Sequence, residues 1–201
     1  MKFGCAILAG GKSSRMGTDK ALLALDGQKF IERIAGELSA FEERIIARGN
    51  NSNLPDIDWK IIPDQYPDHG PLGGIHAALS ACEADALFFV TCDMPFIQYS
   101  LAKLFCCAFT ENLENGTALD AVVAVTPDER IHPLCGIYTK SALPVLEKQL
   151  LADQNKVMMA LKQMNVDYLQ IPSDMSIQCS NINTRDDYEK IKTITEKTSG
   201  A

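Results

Sequence analysis

Three short runs in this chain are apolar at nearly every position: 3–8 (Phe-Gly-Cys-Ala-Ile-Leu), 86–91 (Ala-Leu-Phe-Phe-Val-Thr) and 121–125 (Ala-Val-Val-Ala-Val). A strand with one face in water alternates apolar and polar residues, whereas a strand apolar throughout is covered on both faces. Helices provide that cover, and the sequence supplies them. Phe30, Ile31, Ile34, Leu38 and Phe41 recur at helical spacing over 28–41. The same reasoning predicts helices over 75–82, 99–109, 143–151, 157–164 and 186–194, and strands over 44–47, 59–62, 133–138 and 168–171. Residues 49–58 form a polar loop. Strands alternating with helices predict an α/β fold, a single Rossmann-like three-layer domain with a mainly parallel sheet and late antiparallel additions. The 201 residues exceed a common domain of ~150 only modestly, and no linker, repeat or low-complexity tract divides them. The domain is expected over 1–197, with 198–201 a frayed tail.

Charge narrows the possible partners. Lys and Arg number 19 against 26 Asp and Glu, a net charge of −7. Such a surface argues against general nucleic-acid or membrane-surface binding, but not against an anion held by a local cationic loop. No run approaches the ~18 apolar residues of a membrane span. The apolar start is too short for a signal peptide, with Lys12 and Arg15 following at once. Cys5, Cys82, Cys92, Cys106, Cys107, Cys135 and Cys179 are odd in number and include no C-x-x-C spacing. They read as small hydrophobes in a reducing cytoplasm rather than as a disulfide framework or zinc site.

The densest chemical signal follows the first predicted strand: Leu8-Ala9-Gly10-Gly11-Lys12-Ser13-Ser14-Arg15-Met16-Gly17-Thr18-Asp19-Lys20. Its glycines permit close backbone approach, and exposed N–H groups in such a loop cradle phosphate oxygens. Lys12, Arg15 and Lys20 against Asp19 leave a local charge of 3 − 1 = +2 within a net −7 chain. The carboxyl end of a first strand is also where open α/β sheets bind ligand. Two familiar motifs fail here. A P-loop needs glycine where Ala6 stands, and a dinucleotide fingerprint needs glycine where Lys12 stands. A solvated basic turn is the bland alternative.

The loop resembles that of nucleotidyltransferases carrying L-A-[AG]-G-x-S-x-R-M-G-x-x-K, and within them it is similar to the molybdenum cofactor guanylyltransferase family. The resemblance continues through Gly70-Pro71-Leu72-Gly73-Gly74, Thr91-Cys92-Asp93-Met94-Pro95, His132-Pro133, Lys156-Val157-Met158 and Asn181-Ile182-Asn183-Thr184. It implies a nucleotidyltransferase domain that transfers GMP from GTP to molybdenum-molybdopterin, releasing pyrophosphate and forming the guanine dinucleotide cofactor. It also implies Mg²⁺ as cofactor, and partners among other cofactor-biosynthesis proteins and recipient molybdoenzymes.

The chemistry of that reaction suits the residues. A phosphate monoester, with a second pKa of about 6, is already a competent nucleophile. What it needs is charge neutralisation and positioning. Arg15 offers a planar fork for phosphate oxygens, and Lys20 a compact charge. Lys12 reads equally as a phosphate contact or a solvated residue. By the resemblance, Leu8, Ala9, Gly10 and Gly11 contact the nucleotide through backbone, Lys20 contacts it directly, and Asp64 contacts GTP. Gly10 leaves room beside guanine or ribose, where related cytidylyltransferases carry Ala. Asp93, ending a strand, suits Mg²⁺, which takes one or two carboxylates plus phosphate oxygens and water. Arg48 or Asn50 stands in for a family Asn. Asn183 and His132 fall on the acceptor side, and Lys156, Lys162 or Arg130 supplies acceptor-pocket charge. Thr184 or Asn183 caps the last helix. His69 reads as an exposed loop residue and His76 as structural. Two rivals remain open: a CTP-dependent molybdopterin cytidylyltransferase, and a non-catalytic nucleotide or cofactor carrier. A sugar-phosphate nucleotidyltransferase is a weaker fit.

Overall fold

Side chains alternate across a strand, so a strand apolar throughout builds two cores at once. The computed structural model describes residues 1–10, 20–49 and 54–199. Its strands are β1 (Phe3–Leu8), β2 (Ala24–Leu25), β3 (Gln28–Lys29), β4 (Glu43–Ala47), β5 (Lys60–Ile62), β6 (Ala86–Thr91), β7 (Ala121–Val125), β8 (Ile131–Thr139) and β9 (Val166–Gln170). Its helices are α1 (Phe30–Glu37), α2 (Gly70–Ala81), α3 (Tyr99–Glu114), α4 (Leu143–Leu151), α5 (Val157–Leu161) and α6 (Arg185–Ser199). Seven strands form one sheet in the order β5-β4-β1-β6-β8-β7-β9. Only β8 runs against its neighbours there. Cys5, Ile7, Phe88 and Val90 point to the face covered by α1 and α3. Ala6, Leu8, Leu87 and Phe89 point to the opposite face, under α2, α4 and α5. This is the expected three-layer α/β fold with a mainly parallel sheet.

Several boundaries depart from the periodicity. The helix predicted over 28–41 is shorter, because 28–29 pair with 24–25 in a hairpin. Asp26 (φ 53°) and Gly27 (φ 79°) are both left-handed, as a two-residue Asp-Gly hairpin turn requires. The helix predicted from 75 begins at Gly70, with a proline in its first turn. α5 stops at Leu161, and α6 runs on to Ser199, where the pattern predicts an end at 194. The 3-10 helix Ser173–Cys179 has no apolar period to announce it. β6, expected in a parallel setting, has parallel β1 on one side and antiparallel β8 on the other.

The irregularity that matters most lies in β8. Val123 pairs with Gly136, but the next residue, Ala124, pairs with His132. Pro133, Leu134 and Cys135 therefore bulge out, held by the Tyr138 hydroxyl donating to the Pro133 carbonyl at 2.5 Å. β8 pairs with β6 only as far as Phe89, so the carboxyl end of β6 has no strand on that side. Chain from the C-terminal region fills the gap. The Ile182 N–H donates to the Asp93 carbonyl at 2.8 Å, and the thiols of Cys135 and Cys179 lie 3.9 Å apart. α6 is tied down at its start by a reciprocal cap: Asp187 N–H donates to Thr184 Oγ1, and Thr184 N–H to Asp187 Oδ2. Thr184, rather than Asn183, is thus the cap.

Candidate active site

In an open sheet with the order β5-β4-β1-β6, the chain leaves β1 for β4 on one side and returns to β6 on the other. The loops part at the carboxyl ends of β1 and β6, leaving a crevice. Leu8 and Thr91 are register partners at that edge. The loop residues there are locked together: Ala9 N–H donates to the Ala47 carbonyl and Cys92 N–H to the Leu8 carbonyl.

Glycines line one side of the crevice. A Cβ at Gly10 would stand 3.0 Å from Gly49 Cα, and one at Gly49 would stand 2.8 Å from Gly10 Cα. These two turns touch backbone to backbone, and Gly49 is left-handed at φ +54°. Space freed at Gly10 is therefore taken up by Gly49, a tighter constraint than the room beside a base expected from sequence. Gly73 and Gly74, in the first turns of α2, close in on Leu8 and the Asp64 carboxylate.

Asp64 sits inside this cradle. Its Oδ1 is buried with no hydrogen-bond partner among the described residues. Burial pushes its pKa above the ordinary value, partly offset by a bond from the Gly49 backbone N–H. A carboxylate desolvated and short of a donor is costly to the free protein, and such groups gather at functional sites. Arg48, beside it, uses its N–H on the Ile62 carbonyl while its side chain is exposed.

Asp93 stands on the other side of β1, buried, past the end of β6. The Thr91 hydroxyl donates to its Oδ1 at 2.5 Å, which fixes the direction of the carboxylate. Asn183, exposed, is two residues beyond the Asn181 that adjoins this edge, and its N–H faces Asp187 Oδ2 at 3.3 Å. His132 is brought to the same edge by the β8 bulge, with Nε2 3.0 Å from Thr126 Oγ1. Burial, then Arg130, lowers its pKa.

The structure therefore gathers Leu8, Ala9, Gly10, Arg48, Asp64 and Asp93 along one edge, with His132 and the Asn181–Asn183 segment adjoining. Gly11, Lys12, Arg15 and Asn50 lie outside the described residues. Lys20 opens a 3-10 turn, and its side chain lies outside them as well. His69, expected to be exposed, is half-buried: its Nδ1 meets the Pro67 carbonyl at 2.9 Å and its Nε2 meets Asp153 at 3.4 Å. His76 is buried edge-on to Tyr66, as a structural residue should be. Lys156 occupies the N-cap position of α5 without a side-chain bond, and with Lys162 it is exposed. Gly49, Thr91 and Thr126 escaped sequence reasoning. Each acts on a neighbour reached only through the fold.

Among the described residues no three His, Cys, Asp or Glu side chains gather to hold a metal. Mg²⁺ bound to a nucleotide does not require such a cage, since phosphate oxygens and water complete its octahedron. A single oriented carboxylate, as at Asp93, fits that donor set. No described helix is long and apolar enough to cross a membrane.

A glycine-lined crevice flanked by carboxylates at the switch point of an open sheet defines a nucleotide-binding α/β protein. Comparison with known proteins narrows the class. The chain belongs to the MobA-like NTP transferase family, whose domain matches residues 5–167. It is 35% identical over 200 residues to a Clostridium perfringens protein named "Probable molybdenum cofactor guanylyltransferase", covering 95% of this chain and 96% of that one. A protein of the same name from Carboxydothermus hydrogenoformans is 34% identical over 191 residues, covering 92% and 93%. The molybdopterin-guanine dinucleotide biosynthesis protein A of Archaeoglobus fulgidus superposes with a TM-score of 0.78 at 26% identity, covering 98% of this chain and all of that one. The chain is a nucleotidyltransferase.

Proposed function

We propose that the protein transfers GMP from GTP to the phosphate monoester of molybdenum-molybdopterin. An oxygen of that phosphate attacks the α-phosphorus of GTP. The bond from the α-phosphorus to the α–β bridging oxygen breaks, and pyrophosphate leaves with the electron pair. The product is the guanine dinucleotide form of the cofactor.

The observation that carries this reading is Asp64. Its under-served carboxylate, in a cradle where an added Cβ would come within 2.8 Å of a neighbour at Gly49 and 3.0 Å at Gly73 and Gly74, calls for adjacent donors. Guanine offers them on one edge, as N1–H and the 2-amino group. Cytosine presents a ring-nitrogen acceptor beside its amino group and would set a lone pair against the carboxylate. Asp64 thus favours GTP over CTP on electrostatic grounds.

The remaining roles follow the charges. Leu8, Ala9, Gly10 and Gly11 pass backbone along the nucleotide. Arg15 and Lys20 neutralise the triphosphate and the leaving pyrophosphate. Asp93, aimed by Thr91, would hold Mg²⁺ on the phosphates. When bound, that ion withdraws charge from the phosphoryl oxygens. No general base is needed, because the attacking phosphate oxygen is already anionic near neutral pH. Seven free cysteines accord with a reducing, cytoplasmic setting. Other cofactor-biosynthesis proteins and recipient molybdoenzymes are the partners this reaction calls for.

The test is incubation with GTP, Mg²⁺ and molybdenum-loaded molybdopterin, following pyrophosphate and dinucleotide. Both should form with GTP and not with CTP. Asp93→Ala should abolish turnover with the fold intact, which a mere carrier would not register. Absence of both products from the wild type would refute the proposal.

A further inference from the structure

Asp93 stands in the segment 92–98, which joins β6 to α3 and belongs to no helix or strand. Its internal bonds are short turns: Met94 N–H donates to the Thr91 carbonyl and Ile97 N–H to the Met94 carbonyl. Turns of this kind fix local bends, not the position of the segment against the sheet.

The C-terminal region holds the segment at both ends. At one end the Ile182 N–H donates to the Asp93 carbonyl at 2.8 Å, and the Ile182 side chain is buried with Leu25 and Phe30, against Phe96. At the other end stands Gln178, 4% exposed, in the 3-10 helix Ser173–Cys179. Its Oε1 accepts the Gln98 N–H at 3.0 Å, and its Nε2 donates to Gln98 Oε1 at 3.3 Å.

This pairing calls for an amide. A backbone N–H can only donate, so it draws the amide oxygen and turns the NH₂ group toward Gln98 Oε1. A carboxylate would accept the N–H but set its other oxygen against Oε1. An apolar side chain would leave the N–H without its partner. Gln98 occupies the N-cap position of α3 yet makes no side-chain capping bond, so its side chain serves Gln178 instead. A satisfied, directional pair between residues 80 positions apart specifies how two segments meet.

We propose that Gln178 is a positioning residue for the transfer. Through Gln98 it fixes the far end of the segment, and together with Ile182 it decides where the Asp93 carboxylate stands in the crevice. The proposal rests on the guanylyl-transfer reading for what Asp93 does. Thr91 aims that carboxylate; Gln178 locates the chain that carries it.

Mn²⁺ titrated into the full chain with GTP, with the free ion counted by electron paramagnetic resonance, reports on Asp93 without turnover. Its affinity should fall at least about tenfold in Gln178→Leu, which removes both bonds. Metal-free GTP affinity, measured by calorimetry, should stay within about twofold, because Asp64 lies on the other side of β1. In turnover kcat should fall about 10- to 100-fold while KM for GTP holds, as expected of a small misplacement. Gln178→Glu should lose Mn²⁺ affinity and kcat similarly. Adding Gln98→Ala removes the oxygen that faces the carboxylate and keeps the backbone N–H, so both should return to within about threefold of wild type. A merely structural role predicts further damage from the second substitution, not recovery. Gln178→Leu with wild-type Mn²⁺ affinity and kcat overturns the proposal and leaves guanylyl transfer standing. Should Gln178→Leu not fold, the glutamate pair decides: Gln178→Glu equal to wild type, or not rescued by Gln98→Ala, overturns the proposal. Wild type that binds Mn²⁺ with GTP, and binds it more weakly in Gln178→Leu, but forms no dinucleotide supports the placement by Gln178 and sinks guanylyl transfer.

Discussion

Replacing Asp64 by Asn exchanges one acceptor oxygen for a donor at nearly constant volume. In the proposed complex the Asp64 side chain turns to bring Oδ1 out of its enclosure, and the carboxylate takes two guanine N–H groups. Each such bond to a charged group contributes about 1.5–3 kcal/mol. The substituted amide would keep N1–H on its oxygen but set its own NH₂ against the 2-amino group. The expected loss is one bond plus a donor–donor clash, about 2–4 kcal/mol, or about 30- to 1,000-fold in GTP affinity. Xanthosine triphosphate carries a carbonyl where guanine has the amine, so Asp64→Asn should prefer it to GTP. A purely structural change could not reverse the preference in that way. The free protein should respond in the opposite sense. An enclosed acceptor without a donor costs about 1–3 kcal/mol, and relief of part of it should raise the melting midpoint by roughly 2–4 °C. The pH dependence follows from the raised pKa of Asp64, whose cause is burial. The folded state holds this proton more tightly than the unfolded state, so stability falls as pH rises through the folded pKa. The advantage of Asp64→Asn should therefore grow as pH rises above the ordinary value of 3.8 and vanish below it. Calorimetry with both nucleotides and melting scans across pH measure all of this. GTP affinity within twofold of wild type, with no gain for xanthosine triphosphate, would refute the assignment of Asp64 to the base.

Thr91→Val removes the hydroxyl that aims Asp93 and keeps its shape. It should lower kcat about tenfold, with KM for GTP little changed, as expected when a carboxylate loses its orientation but not its charge. Gly49→Ala puts a methyl 2.8 Å from Gly10 Cα at φ +54°, so it should cost at least about 1–2 kcal/mol in a denaturant titration and weaken GTP binding with it. The pKa of His76 is lowered chiefly by burial. The unfolded chain therefore binds more protons below the ordinary value of 6.5, and stability is lost as pH falls from there toward the folded pKa. His76→Phe should flatten that part of the stability profile, read from melting midpoints between pH 7 and 5.

Reading the sequence alone succeeded where the physics is local or periodic. The runs at 3–8, 86–91 and 121–125 could only be strands buried on both faces, and their spacing by helical segments dictated a three-layer sheet. The placement of Gly10 and Asp93 at one edge of the sheet was legible because each follows such a run, and a carboxyl end is where this architecture binds ligand. Even the missed hairpin had its signal, Asp26-Gly27, overridden by a helical pattern that begins just after it.

Contacts between distant segments were not legible. Nothing near Asp64 in the chain tells that Gly49 and Gly73 will close round it, or that its Oδ1 will lack a donor. The β8 bulge depends on how two strands and a C-terminal segment share one gap, and His132 and Asn181 line the same cleft beside it. Propensity and periodicity act over a few residues, so they specify elements. Desolvation, proton placement and close backbone approach arise between elements, and only tertiary packing decides them.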